Sequence, residues 1–206
     1  MLYAASDIAD TTTFVSAASP VLASRVSGGA RVDVAQRLRA SRERLREVVR
    51  GVAPAAWAAR PDAGRWTACE ILEHLALTEW SVVEFVRGTL LTWPRAGTPP
   101  TRTPDAEVLR AAADRTVRLE APERLQPLGR SIRPGVVCAS IEAARDEAIA
   151  LATTSAEALR GRFAPHPHFG MLDGAQWLLF LAGHTERHAA QLQAMVAGRR
   201  GASIAA

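Results

Sequence analysis

The 206-residue chain is long enough for one domain with a substantial core and too short to favour two. Its 48% hydrophobic and 22% charged residues are ordinary for a globular protein in water. The net charge is only +4 and many arginines have acidic neighbours at helical spacing, so a nucleic-acid partner is not expected. No apolar run approaches the ~18 residues that cross a membrane, and the first 30 residues lack the pattern of a signal peptide. We therefore expect a cytoplasmic protein without a membrane partner.

The chain begins with weak helical patterning over residues 1–30, which we interpret as an N-terminal extension. A first core helix is predicted next, because Asp33 and Gln36 resemble a capping pair. Gly51 and Pro54 should end it. Its inward-facing stripe consists of Val34, Leu38, Ser41, Leu45 and Val48.

The second core helix has the clearest start in the sequence. The segment Thr67-Ala68-Cys69-Glu70 fits a capping box, in which the threonine hydroxyl and the glutamate carboxylate satisfy backbone N–H groups reciprocally. The helical pattern continues to about Leu91, with His74 on its apolar side. Residues 92–104 contain four prolines and are predicted to form a loop.

The rest of the chain also has helical patterning. Residues 105–119 predict an accessory helix, and a third core helix is expected over about 138–159. The segment 165–170 is interpreted as a constrained connection, after which Asp173 should cap a fourth core helix that ends at Gly198.

These patterns predict an all-α protein built on a four-helix bundle, because each core helix has one apolar face to bury. No strand-like alternation of useful length is present, and no internal repeat is visible. We assign residues 31–199 to the bundle domain, with the accessory helix in the connection between its second and third core helices. Residues 200–206 are predicted to be a flexible tail.

The most informative residues are two histidines in the fourth core helix. His184 and His188 are four residues apart, so their side chains lie above one another on the apolar face. Burying two imidazoles without partners is costly, and one transition-metal ion would satisfy both. His74 could supply a third ligand, although a single buried histidine is more often satisfied by a hydrogen bond. A metalloprotease helix is excluded, because Thr185 stands where its motif requires glutamate.

The remaining histidines and the two cysteines give weaker signals. His166 and His168 alternate with prolines and are interpreted as turn residues, with the alternative that either approaches the open end of the metal site. Cys69 and Cys138 form no metal or redox motif and are interpreted as small buried side chains. Cys69 lies near a helix start, where a thiolate could alternatively be stabilised.

Two stretches of the sequence resemble a known family. Residues 65–75 resemble the W-(S/T)-x-x-E-(I/V)-L-x-H-(L/I) start of the second helix in the DinB-like (YfiT-like) superfamily. Residues 166–192 resemble its closing pattern, H-P-x-x-G … W … H-x-x-(R)-H-x-x-Q-(L/I). The resemblance covers about residues 33–198, and the order and separation of three histidines agree with it.

The resemblance implies a four-helix bundle that binds a divalent ion, typically zinc or nickel, through His74, His184 and His188, with water completing the shell. Relatives include transferases that join bacillithiol, mycothiol or glutathione to an electrophile, and mycothiol-dependent maleylpyruvate isomerase is a related case. We therefore expect a low-molecular-weight-thiol S-transferase acting on a small-molecule thiol and an electrophile. Negative groups of the thiol would need cationic partners, for which Arg65 and Arg187 are candidates.

Three further points stay open at the level of sequence. The same metal site could activate water, which would make the protein a metal-dependent hydrolase. It could also belong to a non-catalytic stress protein that binds a metal or small molecule, since folds host varied functions. A homodimer is compatible with either case.

Overall fold

The computed structural model describes residues 31–96, 103–129 and 133–204, with side-chain environments through residue 197. The predicted N-terminal extension lies outside the described residues. The described chain is mostly helical, which confirms the predicted all-α class. Within these ranges no helix combines the length and the apolar character needed to cross a membrane.

The elements follow one another along the described chain as helices with a single small hairpin. They are α1 (Val34–Arg50), α2 (Ala68–Gly88), α3 (Asp105–Ala113), α4 (Pro134–Thr154), α5 (Ala156–Arg160), β1 (Phe163–His166), β2 (Gly170–Asp173) and α6 (Gly174–Ile204). Short 3-10 turns occupy Pro54–Ala56, Leu90–Thr92 and Glu123–Leu125.

The four long helices α1, α2, α4 and α6 form the predicted bundle. Helices α1 and α2 each pack against both α4 and α6, so they lie at opposite corners. Helix α3 is the accessory helix and crosses α6 at Gly183, where a Cβ would lie 2.6 Å from the Leu109 carbonyl oxygen and 2.8 Å from the Ala112 Cβ. Glycine at this position therefore lets the two backbones approach.

The start of α2 is the predicted capping box. The Thr67 hydroxyl accepts from the Glu70 N–H at 3.1 Å, and the Glu70 carboxylate accepts from the Thr67 N–H at 2.7 Å. The second carboxylate oxygen of Glu70 accepts from Arg60 at 2.7 Å. This arrangement fixes the first turn of the helix that carries His74.

Two helix boundaries differ from the prediction for identifiable reasons. Helix α3 ends at Ala113 rather than at residue 119, because the Asp114 carboxylate turns the chain by accepting from the Thr116 N–H at 2.8 Å and from its hydroxyl at 2.7 Å. Helix α4 begins at Pro134, before the predicted start at about residue 138. The N–H groups of the first helical turn have no acceptor within the helix, so a proline, which lacks an N–H, can begin the helix.

The ends of the third and fourth core helices also differ. Helix α4 ends at Thr154, and the short α5 covers the rest of the segment predicted as one helix. Helix α6 continues to Ile204, beyond the expected end at Gly198, so the segment 200–206 begins inside this helix. The domain boundaries themselves stay predictions.

The constrained connection predicted over 165–170 is the tip of an antiparallel hairpin, whose two strands the sequence analysis did not predict. Phe163 pairs with Asp173 and His166 with Gly170. Gly170 has a φ of +69°, which favours glycine at the end of the turn. Strands of four residues are too short to show alternation in the sequence.

Candidate metal centre

The three histidines predicted as metal ligands come together between α2 and α6. His74 lies two turns inside the capped end of α2, while His184 and His188 are one turn apart on α6. One nitrogen from each ring lies within 4.8 Å of the other two. Among the described residues, no other group of three or more His, Cys, Asp or Glu side chains is this compact.

The distances between the nitrogens fit a single ion. The Nε2 atom of His184 lies 3.2 Å from that of His74 and 3.1 Å from that of His188. Two nitrogens bonded to one zinc at ~2.0–2.1 Å would be about 2.9 to 3.4 Å apart between octahedral and tetrahedral angles. The observed separations fall inside this interval.

Hydrogen bonds to the second ring nitrogens orient two of the ligands. The Nδ1 atom of His74 donates to the Leu125 carbonyl oxygen at 2.7 Å, and a carbonyl can only accept, so its Nε2 carries a lone pair. The Nδ1 atom of His188 lies 2.9 Å from the Gln191 side-chain oxygen. Ligand histidines usually donate their other N–H in this way. The Nε2 lone pairs of His74 and His188 are therefore available to one cation, and the donor set fits a divalent ion.

The third ligand is held by packing instead. The His184 Nδ1 is buried and has no hydrogen-bond partner among the described residues. The Phe180 ring stacks on the His184 imidazole with centroids 5.2 Å apart and planes at 29°. This contact restricts rotation of the imidazole one turn below His188.

Burial keeps the three imidazoles neutral. It is the largest cause of a lowered pKa at each of them, bringing the His188 pKa to about 3 and the His184 pKa well below its ordinary value. Positive charge on neighbouring residues adds to this effect, since Arg187 and Arg115 also lower the His188 pKa. A neutral imidazole is the form that binds a metal.

The two arginines predicted to bind a thiol occupy different positions. Half-buried Arg187 adjoins His188 in sequence, and its guanidinium donates to the carbonyl oxygens of Asp114 and, at 2.6 Å, of Val117. Arg65 is exposed at the approach to α2. Binding of a thiol by either residue stays a prediction.

The segment after α3 covers one side of the centre, a feature that sequence analysis missed. In addition to the Leu125 carbonyl on His74, the Leu128 N–H donates to the buried Glu73 carboxylate at 3.2 Å. The Trp66 ring lies 4.9 Å from the His74 ring. Sequence patterns could not identify the Leu125 contribution, because its functional atom belongs to the backbone.

His166 and His168 do not join the three ligands. His166 is buried in β1, so the turn interpretation is wrong for this residue, whereas His168 does lie in the turn between the two strands. Its Nδ1 accepts from the His168 N–H at 3.2 Å, and its ring packs 4.7 Å from Trp177 and 4.6 Å from Phe180. Burial lowers its pKa to about 3. Phe180 therefore contacts both His166 and the ligand His184.

The cysteines lie apart from the ligand cluster and are not joined by a disulfide. Burial is the largest cause of a raised pKa at both the Cys69 and the Cys138 thiols, and carboxylates nearby add to it. The protonated thiol is thus favoured at each position, as expected for small partly buried side chains.

A second buried polar cluster was also missed. Glu79 and Arg145 form an ion pair inside the bundle, in contact with Thr185. The available signal was charge at positions that helical spacing turns toward the core. Nothing in the sequence indicated that residues 66 positions apart would pair.

Comparison with known proteins agrees with this architecture. A family model described as the DinB superfamily matches residues 37–192, which include His74, His184 and His188. The uncharacterized protein YuaE of Bacillus subtilis (strain 168) is 25% identical over 134 residues, or 65% of this chain and 79% of that protein. No solved structure gives a significant match.

Proposed function

Because the chain belongs to the DinB superfamily, we propose that it is a divalent-metal-dependent enzyme with His74, His184 and His188 as the metal ligands. The observation that carries the proposal is the convergence of three Nε2 atoms, with separations of 3.1 and 3.2 Å from His184. Zinc and nickel are the ions we propose, since both accept imidazole ligands.

The ligand count supports catalysis over a purely structural role. Structural zinc sites are closed by four protein ligands, whereas catalytic sites use three and leave a position for water or substrate. The compact cluster contains three residues, all histidine, in the described part of the chain. A fourth, exchangeable position is therefore part of the proposal.

We propose that the reaction is transfer of a low-molecular-weight thiol, such as bacillithiol, mycothiol or glutathione, to an electrophile. A bound divalent ion would supply the acidity that converts a thiol to a thiolate near neutral pH. The raised pKa values of Cys69 and Cys138 make the chain's own thiols poor nucleophiles, which favours an external one.

The residues around the centre would orient and stabilise rather than exchange protons. His74 and His188 hold their Nδ1 protons against Leu125 and Gln191, so their imidazoles act as fixed electron-pair donors. Arg187 and Arg115 place positive charge beside His188, which favours an anionic ligand there. Arg187 and Arg65 remain our candidates for the acidic groups of the thiol.

The experiment is a titration of the cobalt-substituted full chain with bacillithiol, mycothiol and glutathione. We expect one of them to produce a sulfur-to-cobalt charge-transfer band and to release a proton at neutral pH, because the unbound thiol is mostly protonated there. S-methyl glutathione, which has no ionisable thiol, is the control for glutathione. A cobalt spectrum unchanged by all three thiols would contradict the transferase proposal and favour water activation by a hydrolase, or a non-catalytic binding protein.

We propose that the protein is a cytoplasmic enzyme that acts on small molecules and binds neither nucleic acid nor membranes. Consumption of the thiol in the presence of a panel of electrophiles would identify the second substrate. We also propose a homodimer, and analytical ultracentrifugation of the purified protein would measure its oligomeric state.

A further inference from the structure

The buried polar cluster beside the metal centre joins all four core helices. We call it the Arg145 cluster, and it consists of Ser41 on α1, Glu79 on α2, Arg145 on α4 and Thr185 on α6. Each of these residues is at most 1% exposed. A charged pair this deep in a bundle is unusual, since Arg and Glu are almost never fully buried.

One carboxylate oxygen on α2 accepts hydrogen bonds from side chains of α4 and α6. The Oε1 atom of Glu79 accepts from Arg145 and, at 3.0 Å, from the Thr185 hydroxyl. The same hydroxyl accepts from the Arg145 guanidinium at 2.7 Å. A separate arm reaches α1, where Arg145 donates to the Ser41 hydroxyl at 3.1 Å.

Stability alone does not account for this cluster. The second oxygen of Glu79 and the Nε of Arg145 are buried and have no partner among the described residues. Burial raises the pKa of the Glu79 carboxyl. The positive charge of Arg145 acts in the opposite direction but does not cancel the effect of burial. Replacing such a pair by apolar residues of similar volume is often neutral or stabilising. A role for the cluster therefore has to come from the directional hydrogen bonds, which constrain the relative positions of the helices that they join.

Those bonds lie next to the metal ligands on both helices. Thr185 directly follows His184 in α6, and Glu79 is five residues beyond His74 in α2, about 7.5 Å along a helix that rises ~1.5 Å per residue. Hydrogen bonds depend steeply on distance and angle, so bonds between helices add a directional constraint to the packing of their apolar side chains. Metal ligands need placement to within ~0.5 Å.

We propose that Glu79, Arg145 and Thr185 are positioning residues that fix the axial register and rotation of α6 against α2. They thereby set the separation between His74 and the His184/His188 pair, and with it the affinity and coordination geometry of the bound ion. This inference rests on the proposed metal centre and deepens it.

The main test is an apolar double variant, Glu79→Leu with Arg145→Met, in the full chain. We expect its melting temperature to equal or exceed that of the wild type, while its Co²⁺ affinity falls at least tenfold and the ligand-field bands of bound Co²⁺ change. The tenfold threshold is the lower end of the ~10–100-fold loss seen when a group that hydrogen-bonds directly to a metal ligand is removed. A purely structural role would move stability and affinity in the same direction.

Two single variants isolate the link between α2 and α6. Thr185→Val keeps the volume and the ion pair but removes the bridging hydroxyl, and it should weaken Co²⁺ binding and alter its spectrum. Ser41→Ala removes one of the two hydrogen bonds from Arg145 to α1, the other being to the Leu38 carbonyl oxygen at 3.5 Å, and it leaves the link between α2 and α6 intact. Its Co²⁺ affinity should therefore stay within about twofold of the wild type. If the double variant does not fold, Thr185→Val and Ser41→Ala decide the matter.

The outcomes separate this inference from the metal site itself. A wild-type chain that binds no Co²⁺ would overturn the metal centre and the inference together. A wild type that binds Co²⁺, with unchanged affinity and spectrum in Thr185→Val and in the folded double variant, would overturn the inference alone. Equal weakening by Ser41→Ala and Thr185→Val would do the same, because it would indicate a general effect on packing.

Discussion

At the scale of single residues, hydrogen bonds to the second ring nitrogen orient two of the three predicted ligand histidines. His74 is oriented by a backbone carbonyl and His188 by the side chain of Gln191, while His184 is held by Phe180. The Gln191 hydrogen bond can be removed by substitution without changing a ligand or the path of the backbone. That residue therefore gives the most direct test of ligand orientation.

Substituting Gln191→Leu should weaken metal binding by about 10–100-fold, the range for lost outer-shell partners, because His188 loses the acceptor that fixes its ring. Isothermal titration of the metal-free chain with Zn²⁺ measures the effect. Gln193→Leu is the matched control, since Gln193 is exposed on the same helix and accepts only from Arg44. Equal affinities for the two variants would contradict the orienting role of Gln191.

The buried His166 predicts a pH dependence of stability. Its folded pKa of about 3 lies below the ~6.5 of an unfolded histidine, so between these values only the unfolded chain binds this proton. The stability that depends on neutral His166 is complete above pH 6.5 and decreases as the pH falls. Its loss approaches about 1.4 kcal/mol per pH unit in this window.

Denaturant unfolding of the metal-free chain from pH 6.5 to 5 tests this dependence. The variant His166→Phe keeps an aromatic ring against Trp177 and Phe180, and its free energy of unfolding should fall less steeply with pH than that of the wild type. Identical slopes for the two proteins would mean that His166 has the same pKa in the folded and unfolded states.

At the scale of elements, the capped start of α2 positions His74. Thr67→Ala removes the hydroxyl that accepts from the Glu70 N–H, which should cost about 1 kcal/mol of stability. Metal affinity should also decrease, because His74 is only two turns from the loosened end. Thermal melting and Zn²⁺ titration check both effects, and Thr92→Ala, beyond the other end of α2, is the control. The capping interpretation fails if melting and affinity are both unchanged.

The crossing of α3 over α6 depends on one glycine. Gly183→Ala places a methyl group against the Leu109 carbonyl and Ala112, and such overpacking should destabilise the chain by about 1–3 kcal/mol. Gly88→Ala is the matched control, because nothing lies within 4 Å of its Cβ position, and it should be neutral or stabilising by up to about 1 kcal/mol. Chemical denaturation compares the two, and a Gly183→Ala variant as stable as the wild type would contradict the close crossing.

The elements differ in how far the sequence determines them. The long helices and the cap of α2 were predictable, because periodicity and capping are local signals. The hairpin around Gly170 was missed, since four-residue strands containing Pro165 and His166 show no alternation. The start of α4 was misplaced because Pro134 breaks a helix interior but suits a first turn.

At the scale of the whole molecule, the bundle brings together residues that are 110 positions apart in the chain. His184 and His188 were predictable as a pair from spacing alone. His74 was a candidate third ligand from its position on the apolar side of its helix, and the family resemblance supported it. The Leu125 carbonyl and the Glu79–Arg145 pair could not be predicted, because each depends on a connection between distant segments. The sequence thus predicts ligands better than the groups that hold them in place.

Elemental analysis of the purified full chain, after saturation with Zn²⁺ and removal of excess ion, decides whether the three histidines bind a metal. One zinc per chain is predicted for the wild type, and none for the double variant His74→Ala with His184→Ala. The single variant His168→Ala, outside the cluster, should keep one zinc and serves as the control. One tightly bound zinc in the double variant, or none in the wild type, would contradict a centre built from His74, His184 and His188.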